Sequence, residues 1–110
     1  MRQFFIDDLS REERANIDSY LKRTTTPGPI AGMYFLPLPQ DLHGKDQQGH
    51  EACGPFTFAI ELTDQAATFE LLIRSRSNLH CSCISYASEA QRAFLLLFID
   101  RLLEEEKIKA

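Results

Sequence analysis

All three cysteines and two of the three histidines of this 110-residue chain fall in two short segments. His50 and Cys53 lie three residues apart in the first segment, and His80, Cys81 and Cys83 lie together in the second. Zinc accepts imidazole nitrogen and thiolate sulfur in tetrahedral sites. The sequence therefore suggests a metal site built from His50, Cys53, Cys81 and Cys83, with zinc as the cofactor to consider.

Two features count against this metal site. The paired ligand spacing of common zinc modules is absent. If the second segment is a strand, His80 points to the face opposite Cys81 and Cys83, so these three residues cannot ligate one metal together. Cysteines that face a core are most often small buried hydrophobic residues. On that alternative the chain needs no cofactor.

The same segments suggest two other kinds of site. Cys53 could act as a nucleophile with His50 or His80 as its base. No nucleophile elbow, acid–base pair or phosphate-binding loop is recognisable, so the pattern argues against an enzyme.

Arg74, Arg76 and His80 cluster at the end of a predicted hairpin. They could bind an anionic ligand or an acidic peptide, or form an ordinary solvated turn.

Residues 56–87 contain the strands that must position these side chains. Two runs, 56–63 and 67–74, alternate strictly between two faces, of which one is apolar. Such alternation over eight residues is typical of half-buried β-strands. The link at 64–66 is short and begins with a turn-forming aspartate. The pattern therefore predicts an antiparallel hairpin.

The run 79–86 predicts a third strand, whose buried face depends on the turn before it. A three-residue turn at 76–78 would pair Ile73 with Cys81 and bring both Cys81 and Cys83 into the core, whereas a four-residue turn would expose them. The last residue of the shorter turn is an asparagine, which tolerates the left-handed conformation required there. Turn chemistry therefore favours the register that buries the cysteines.

Two capping boxes flank these strands, at 10–13 and 88–91. They predict helices over about residues 10–22 and 88–107. A short strand over 33–36 should lie at a sheet edge or end early, because prolines follow it. The segment 39–55 then has little apolar content and no periodicity, which predicts a long loop that is either mobile or a binding loop.

These elements predict a single domain over residues 1–110, of α+β class. We expect an antiparallel meander sheet of three to four strands, with an N-terminal and a C-terminal helix packed on one face. The net charge of −4 argues against a nucleic-acid partner. No signal peptide or membrane-spanning stretch is recognisable, and an odd number of cysteines fits a reduced protein, so we expect a cytoplasmic location without membrane attachment.

The favoured register leaves surplus apolar surface in two places. Leu72, Ile84 and Tyr86 would lie on the outer sheet face, and Phe94 and Leu97 on a second apolar side of the last helix. A symmetric dimer is the commonest way to bury such surface. The leading hypothesis is a small homodimeric module that binds a protein, a peptide or a ligand. The alternative is a metal- or thiol-dependent site formed by the long loop and the third strand.

Overall fold

The computed structural model describes residues 3–78 and 80–108, so residue 79, the first position of the predicted third strand, lies outside the described residues. The described chain has α+β architecture, with one antiparallel sheet and two helices. Its strands are β1 (Gln3–Ile6), β2 (Thr26–Pro27), β3 (Met33–Pro37), β4 (Phe56–Leu62), β5 (Ala67–Glu70), β6 (Leu72–Ser75) and β7 (Ser85–Tyr86). Its helices are α1 (Arg11–Thr24) and α2 (Glu89–Glu105).

The strand count and order differ from the predicted meander of three to four strands. The described residues contain seven strands in the order β1-β5-β4-β3-β2, with β6 beside β4 and β7 beside β6. The first element of the described residues is a strand instead of a helix, since β1 adds antiparallel to β5 through pairs such as Phe4 with Phe69. The extra edge strands have two to four residues. Runs this short carry no readable periodicity.

The central strand β4 pairs with both β5 and β6, which follow each other along its edge. Ile60 faces Phe69, whereas Phe56 faces Ser75. Ile60 and Phe56 are four residues apart in β4, whereas their partners Phe69 and Ser75 are six residues apart. The pairing register between β4 and its neighbour therefore shifts by two residues at Leu71, which lies between β5 and β6. Because side chains alternate with period two, this shift leaves the same face buried on both sides of the break.

The predicted third strand is wrong except at its end. Of the described residues 80–86, only Ser85 and Tyr86 are in a strand, and Ser85 faces Ile73. The predicted partner of Ile73 was Cys81, so the predicted cysteine register is also wrong. Cys81 instead begins a turn, since the Ile84 N–H donates to the Cys81 carbonyl at 3.2 Å. Alternation of faces does not apply within such a turn.

Both helices begin at the predicted capping boxes, and both contact the inner sheet face, defined by the buried Phe58 and Ile60. In α1, Asp18 accepts a hydrogen bond from the hydroxyl of Tyr34, a residue paired with Ile60. In α2, the Phe94 ring stacks on Phe58 with centroids 6.3 Å apart. Neither helix, within the described residues, has the length and apolarity needed to cross a membrane.

The contact between Tyr34 and Asp18 joins α1 to the sheet through a charge-assisted hydrogen bond. Burial raises the pKa of Tyr34 to about 12, and the hydrogen bond to Asp18 adds to this rise. The same bond lowers the pKa of Asp18 below its ordinary value of 3.8, with Lys22 contributing. The ionised carboxylate is therefore the form that the folded state stabilises.

We expect Tyr34→Phe to lower the free energy of unfolding by about 1–2 kcal/mol at neutral pH, because the hydrogen bond to a charged acceptor is lost. Because the pKa of Asp18 is lower in the folded than in the unfolded chain, its carboxylate stabilises the fold at pH values above the unfolded pKa. This contribution disappears as the pH falls through the pKa of the folded state. The difference between the two proteins should therefore shrink below pH 3.8. Urea denaturation at several pH values measures it, and a pH-independent difference would contradict this assignment.

Candidate metal centre

The loop that connects β3 to β4 brings His50 and Cys53 together by a short 3₁₀ turn. This turn spans Glu51–Cys53, and the Cys53 N–H donates to the His50 carbonyl at 2.8 Å. Residues three apart lie on the same side of a 3₁₀ turn, because it has three residues per turn. The sequence spacing of His50 and Cys53 thus becomes spatial proximity.

The segment after β6 is tied to the same turn by serine side chains. The Ser75 hydroxyl donates to the Cys53 carbonyl, and the Ser77 hydroxyl donates to the Ala52 carbonyl at 3.2 Å. Ser75 also accepts a hydrogen bond from the Asn78 N–H at 2.9 Å. These bonds hold the chain that leaves β6 against the 3₁₀ turn.

The result is a cluster of four side chains that could hold one metal ion. The ligand atoms of His50, Cys53, Cys81 and Cys83 all lie within 4.8 Å of one another. The Cys53 Sγ is 3.5 Å from the Cys81 Sγ, which in turn is 3.2 Å from the His50 Nδ1. Ligand atoms around tetrahedral zinc are about 3.5–3.8 Å apart, given its usual bond lengths. The structure thus assembles the four residues that the sequence suggests as metal ligands.

The three cysteines of the cluster are free thiols in different surroundings. Cys83 is fully buried, and burial raises its pKa to about 12. Cys81 is half-buried, and hydrogen bonds from Cys83, of which the backbone bond is the strongest influence, lower its pKa to about 6. A coordinated metal would itself deprotonate a thiol ligand. The cluster therefore combines one readily ionised sulfur with one that is stable as an anion only beside a cation.

His80 and His43 lie outside this cluster. His80 is exposed, and its backbone N–H donates to the Asn78 Oδ1 at 3.2 Å. The His43 ring packs edge-on against Phe56, with centroids 5.0 Å apart. The thiol nearest to an imidazole is Cys81, whose Sγ faces His50. Of the two histidines predicted as a base for Cys53, His50 lies within 4.8 Å of the Cys53 Sγ, whereas His80 is not part of the cluster.

A buried glutamine, Gln47, contacts the backbone of the cluster, and no pattern in the sequence predicts this role. Gln47 is 1 % exposed and is the only fully buried side chain in the segment 39–55. Its Nε2 donates to the Cys83 carbonyl at 2.8 Å, and its Oε1 accepts from the Gly44 N–H at 2.9 Å and from Gln91 at 3.0 Å. The amide thus orients the backbone of one candidate ligand.

Gln91 connects this support to helix α2. Its Oε1 accepts from the Ser88 N–H at 2.9 Å, which completes the capping box. Its Nε2 donates to Gln47 at 3.0 Å and to the Leu42 carbonyl at 2.8 Å. The residue that the sequence identifies as a helix cap therefore also anchors the long loop.

Of the three residues predicted to bind an anion, the structure brings Arg74 and Arg76 to one cleft and leaves His80 outside it. Arg74 pairs with Glu70 through contacts of 2.6 and 3.2 Å. The Arg76 guanidinium lies over the Phe35 ring, 3.9 Å from its centroid. Arg74 and Arg76 line one cleft on the outer sheet face, whereas His80 does not line it.

The residues predicted to form an interface lie on two surfaces. Leu72 and Tyr86 face each other across the β6–β7 pair, and the neighbouring Ile84 is half-buried. On α2, Phe94 is half-buried against the core, whereas Leu97 is 66 % exposed. Leu97 is thus the most accessible member of the predicted set.

We expect Gln47→Ala to lower the free energy of unfolding by about 2–3 kcal/mol, because it leaves the buried Cys83 carbonyl and Gln91 amide without this partner. The exposed neighbour Gln48 provides a matched control, and Gln48→Ala should change stability by less than about 0.5 kcal/mol. Urea denaturation of the two variants beside the parent protein measures both values. Equal losses in the two variants would contradict the role of Gln47.

Comparisons with protein families, with curated proteins and with solved structures found no match to this chain. A shared fold would in any case not determine a function, because unrelated activities occur on the same architecture. The cluster of His50, Cys53, Cys81 and Cys83 is therefore the feature from which a function can be argued.

Proposed function

We propose that this chain is a zinc-binding protein in which His50, Cys53, Cys81 and Cys83 hold one Zn²⁺. The observation that carries the proposal is the convergence of these four ligand atoms within 4.8 Å. Three sulfur atoms and one imidazole nitrogen are a common donor set for structural zinc. Thiolate donors also favour zinc over magnesium or calcium, which prefer oxygen.

Packing alone accounts for only part of the cluster. Cys83 is fully buried, as a small hydrophobic cysteine would be. Cys53, Cys81 and His50 are only half-buried, and hydrophobic burial gives no reason for their polar atoms to converge. Coordination of one cation explains all four positions together.

The proposed zinc would act as a cross-link between two segments. Two ligands come from the loop before β4, and two come from the turn after β6. Cys53 and Cys81, one from each segment, are 28 residues apart in the sequence. The segment 39–55 buries no apolar side chain fully. Metal binding would therefore supply stability that the core does not provide, because the free energy of binding adds to that of folding.

A closed site favours a structural role for the metal over a catalytic one. Catalytic zinc usually has three protein ligands and an open position for water or substrate. Here four side chains converge, so a tetrahedral ion would have no free position. The proposed role agrees with the sequence argument against an enzyme.

We expect untagged protein, purified without chelator, to contain close to one zinc per chain by elemental analysis. Cys53→Ser should weaken zinc affinity at least about tenfold, because one of four ligands is lost. His80→Ala is the matched control, since this exposed histidine lies outside the cluster, and it should retain zinc.

At free zinc 100 times above the dissociation constant, removal of zinc by a chelator should lower the free energy of unfolding by about 2.7 kcal/mol.

Titration with Co²⁺, whose thiolate complexes absorb visible light, gives an independent measurement of the same site. A protein that takes up neither Zn²⁺ nor Co²⁺ would refute the proposal. Equal loss of metal in Cys53→Ser and His80→Ala would also refute it, because it would place the ion elsewhere.

A second proposal is that the chain forms a homodimer through α2. Leu97 supports it, since this side chain is 66 % exposed beside a cleft of about 320 Å³ between the two helices. Phe94 and Phe98 line the same cleft. Large exposed apolar side chains next to an apolar cleft are typical of contact surfaces.

We expect Leu97→Glu to convert a dimer into a monomer, because it would place a charge in an apolar contact. Light scattering measures the mass, and Ile30→Glu is the control, since Ile30 is equally apolar and 69 % exposed elsewhere. The pair Leu72→Glu and Ile84→Glu tests the outer sheet face in the same way. An unchanged mass in Leu97→Glu would exclude α2 as the interface.

A further inference from the structure

A cleft on the outer face of the sheet lies apart from the metal cluster. It measures about 300 Å³, and its lining includes Met33, Phe35, Ala59, Glu70, Arg74 and Arg76. Small-molecule sites begin at about this volume, so the cleft is large enough for a compact ligand only. Its floor is mainly apolar, with charged groups at the side formed by β5 and β6.

The charges of the cleft do not cancel. Arg74 and Glu70 neutralise each other through two contacts of 2.6 and 3.2 Å. Arg76 has no such partner, since no carboxylate of the described residues lies within ion-pairing distance of it. Its guanidinium carbon lies over the Phe35 ring, 3.9 Å from the ring centroid. Stacking through the face leaves the N–H groups at its edge available to a ligand.

A second polar group on this face also lacks a partner. Thr57 is 2 % exposed. Among the buried side-chain oxygen and nitrogen atoms of the described residues, only its Oγ1 has no hydrogen-bond partner. Thr57 faces Arg74 across the β4–β6 pair, two residues from Ala59 in the cleft floor. Buried hydroxyl groups are normally hydrogen-bonded. The unsatisfied hydroxyl therefore lies on the face, and at the end, where the arginines are.

The opposite end of the cleft is acidic. Glu61 lines a neighbouring cleft that shares Met33, Ala59 and the Arg74-paired Glu70 with this one. An anionic group would be repelled there and attracted toward Arg76. A ligand with one negative end and an apolar body thus has one favourable orientation. A phosphate dianion fits less well, because Arg76 is the single unpaired cation that lines the cleft in the described residues.

We infer that this cleft binds a small aromatic carboxylate. The carboxylate accepts hydrogen bonds from the edge of the Arg76 guanidinium, a pairing that planar bidentate geometry favours. The aromatic body lies on Met33 and Ala59. This inference goes beyond the proposed zinc site, which uses none of these residues, so it is tested separately on zinc-supplemented protein.

The probe is naphthalene-2-carboxylate, titrated into ¹⁵N-labelled protein, with the neutral naphthalene-2-carboxamide as its matched control. We expect saturable shifts of the backbone amides of Phe35, Ala59 and Arg76, and binding of the carboxamide at least tenfold weaker. Arg76→Gln should raise the Kd for the carboxylate at least tenfold. Arg92→Gln makes the same charge change at an exposed position on α2 and should leave the Kd unchanged.

Three results would overturn the inference. One is the absence of saturable shifts at these amides, and another is equal affinity for the carboxylate and the carboxamide. The third is an unchanged Kd in Arg76→Gln, provided that its spectrum retains the parent's dispersion. If the spectrum of Arg76→Gln shows loss of folding, Arg76→Lys replaces it. That variant keeps the charge without the planar fork, and it should also weaken binding at least tenfold.

Discussion

The pairing of Phe56 with Ser75 is the contact on which the candidate site depends. It places the chain that enters β4 beside the chain that leaves β6, so Cys53 and the turn after β6 become neighbours. The Arg76 N–H then donates to the Pro55 carbonyl at 3.1 Å, which continues the contact beyond the sheet. The proximity of these two distant segments is thus a consequence of strand register, and the hydrogen bonds of Ser75 and Ser77 to the loop add to it.

Much of this architecture could be predicted from local pattern. The alternation over 56–63 and 67–74 corresponds to β4 and to β5–β6, and both capping boxes begin helices. The edge strands could not be predicted, because two to four residues carry too little periodicity. The third strand failed for a different reason. Hydrogen bonds from Asn78 to Ser75 and from Ile84 to Cys81 make turns where the pattern suggested extended chain.

The same turn, and not an alternating strand, brings Cys81 and Cys83 to the cluster, and His80 lies outside it. Neighbouring residues point to opposite faces only where the backbone is extended. The backbone from Cys81 to Ile84 forms a turn, so this alternation does not apply to it. Residue types alone identified the four candidates, but their convergence required knowledge of the register. The role of Gln47 was beyond prediction, because its partners Cys83 and Gln91 lie 36 and 44 residues away.

The shift of two residues across Leu71 has a consequence for how this chain can change in length. An even change at that point leaves Phe69 and Ile73 on the buried face, because the side-chain period is two. A change of one residue would turn Ile73 outward, and it would also turn Ser75 away from the Cys53 carbonyl. Insertions and deletions between β5 and β6 are therefore expected to survive in pairs, and single-residue ones to abolish both the core and the site.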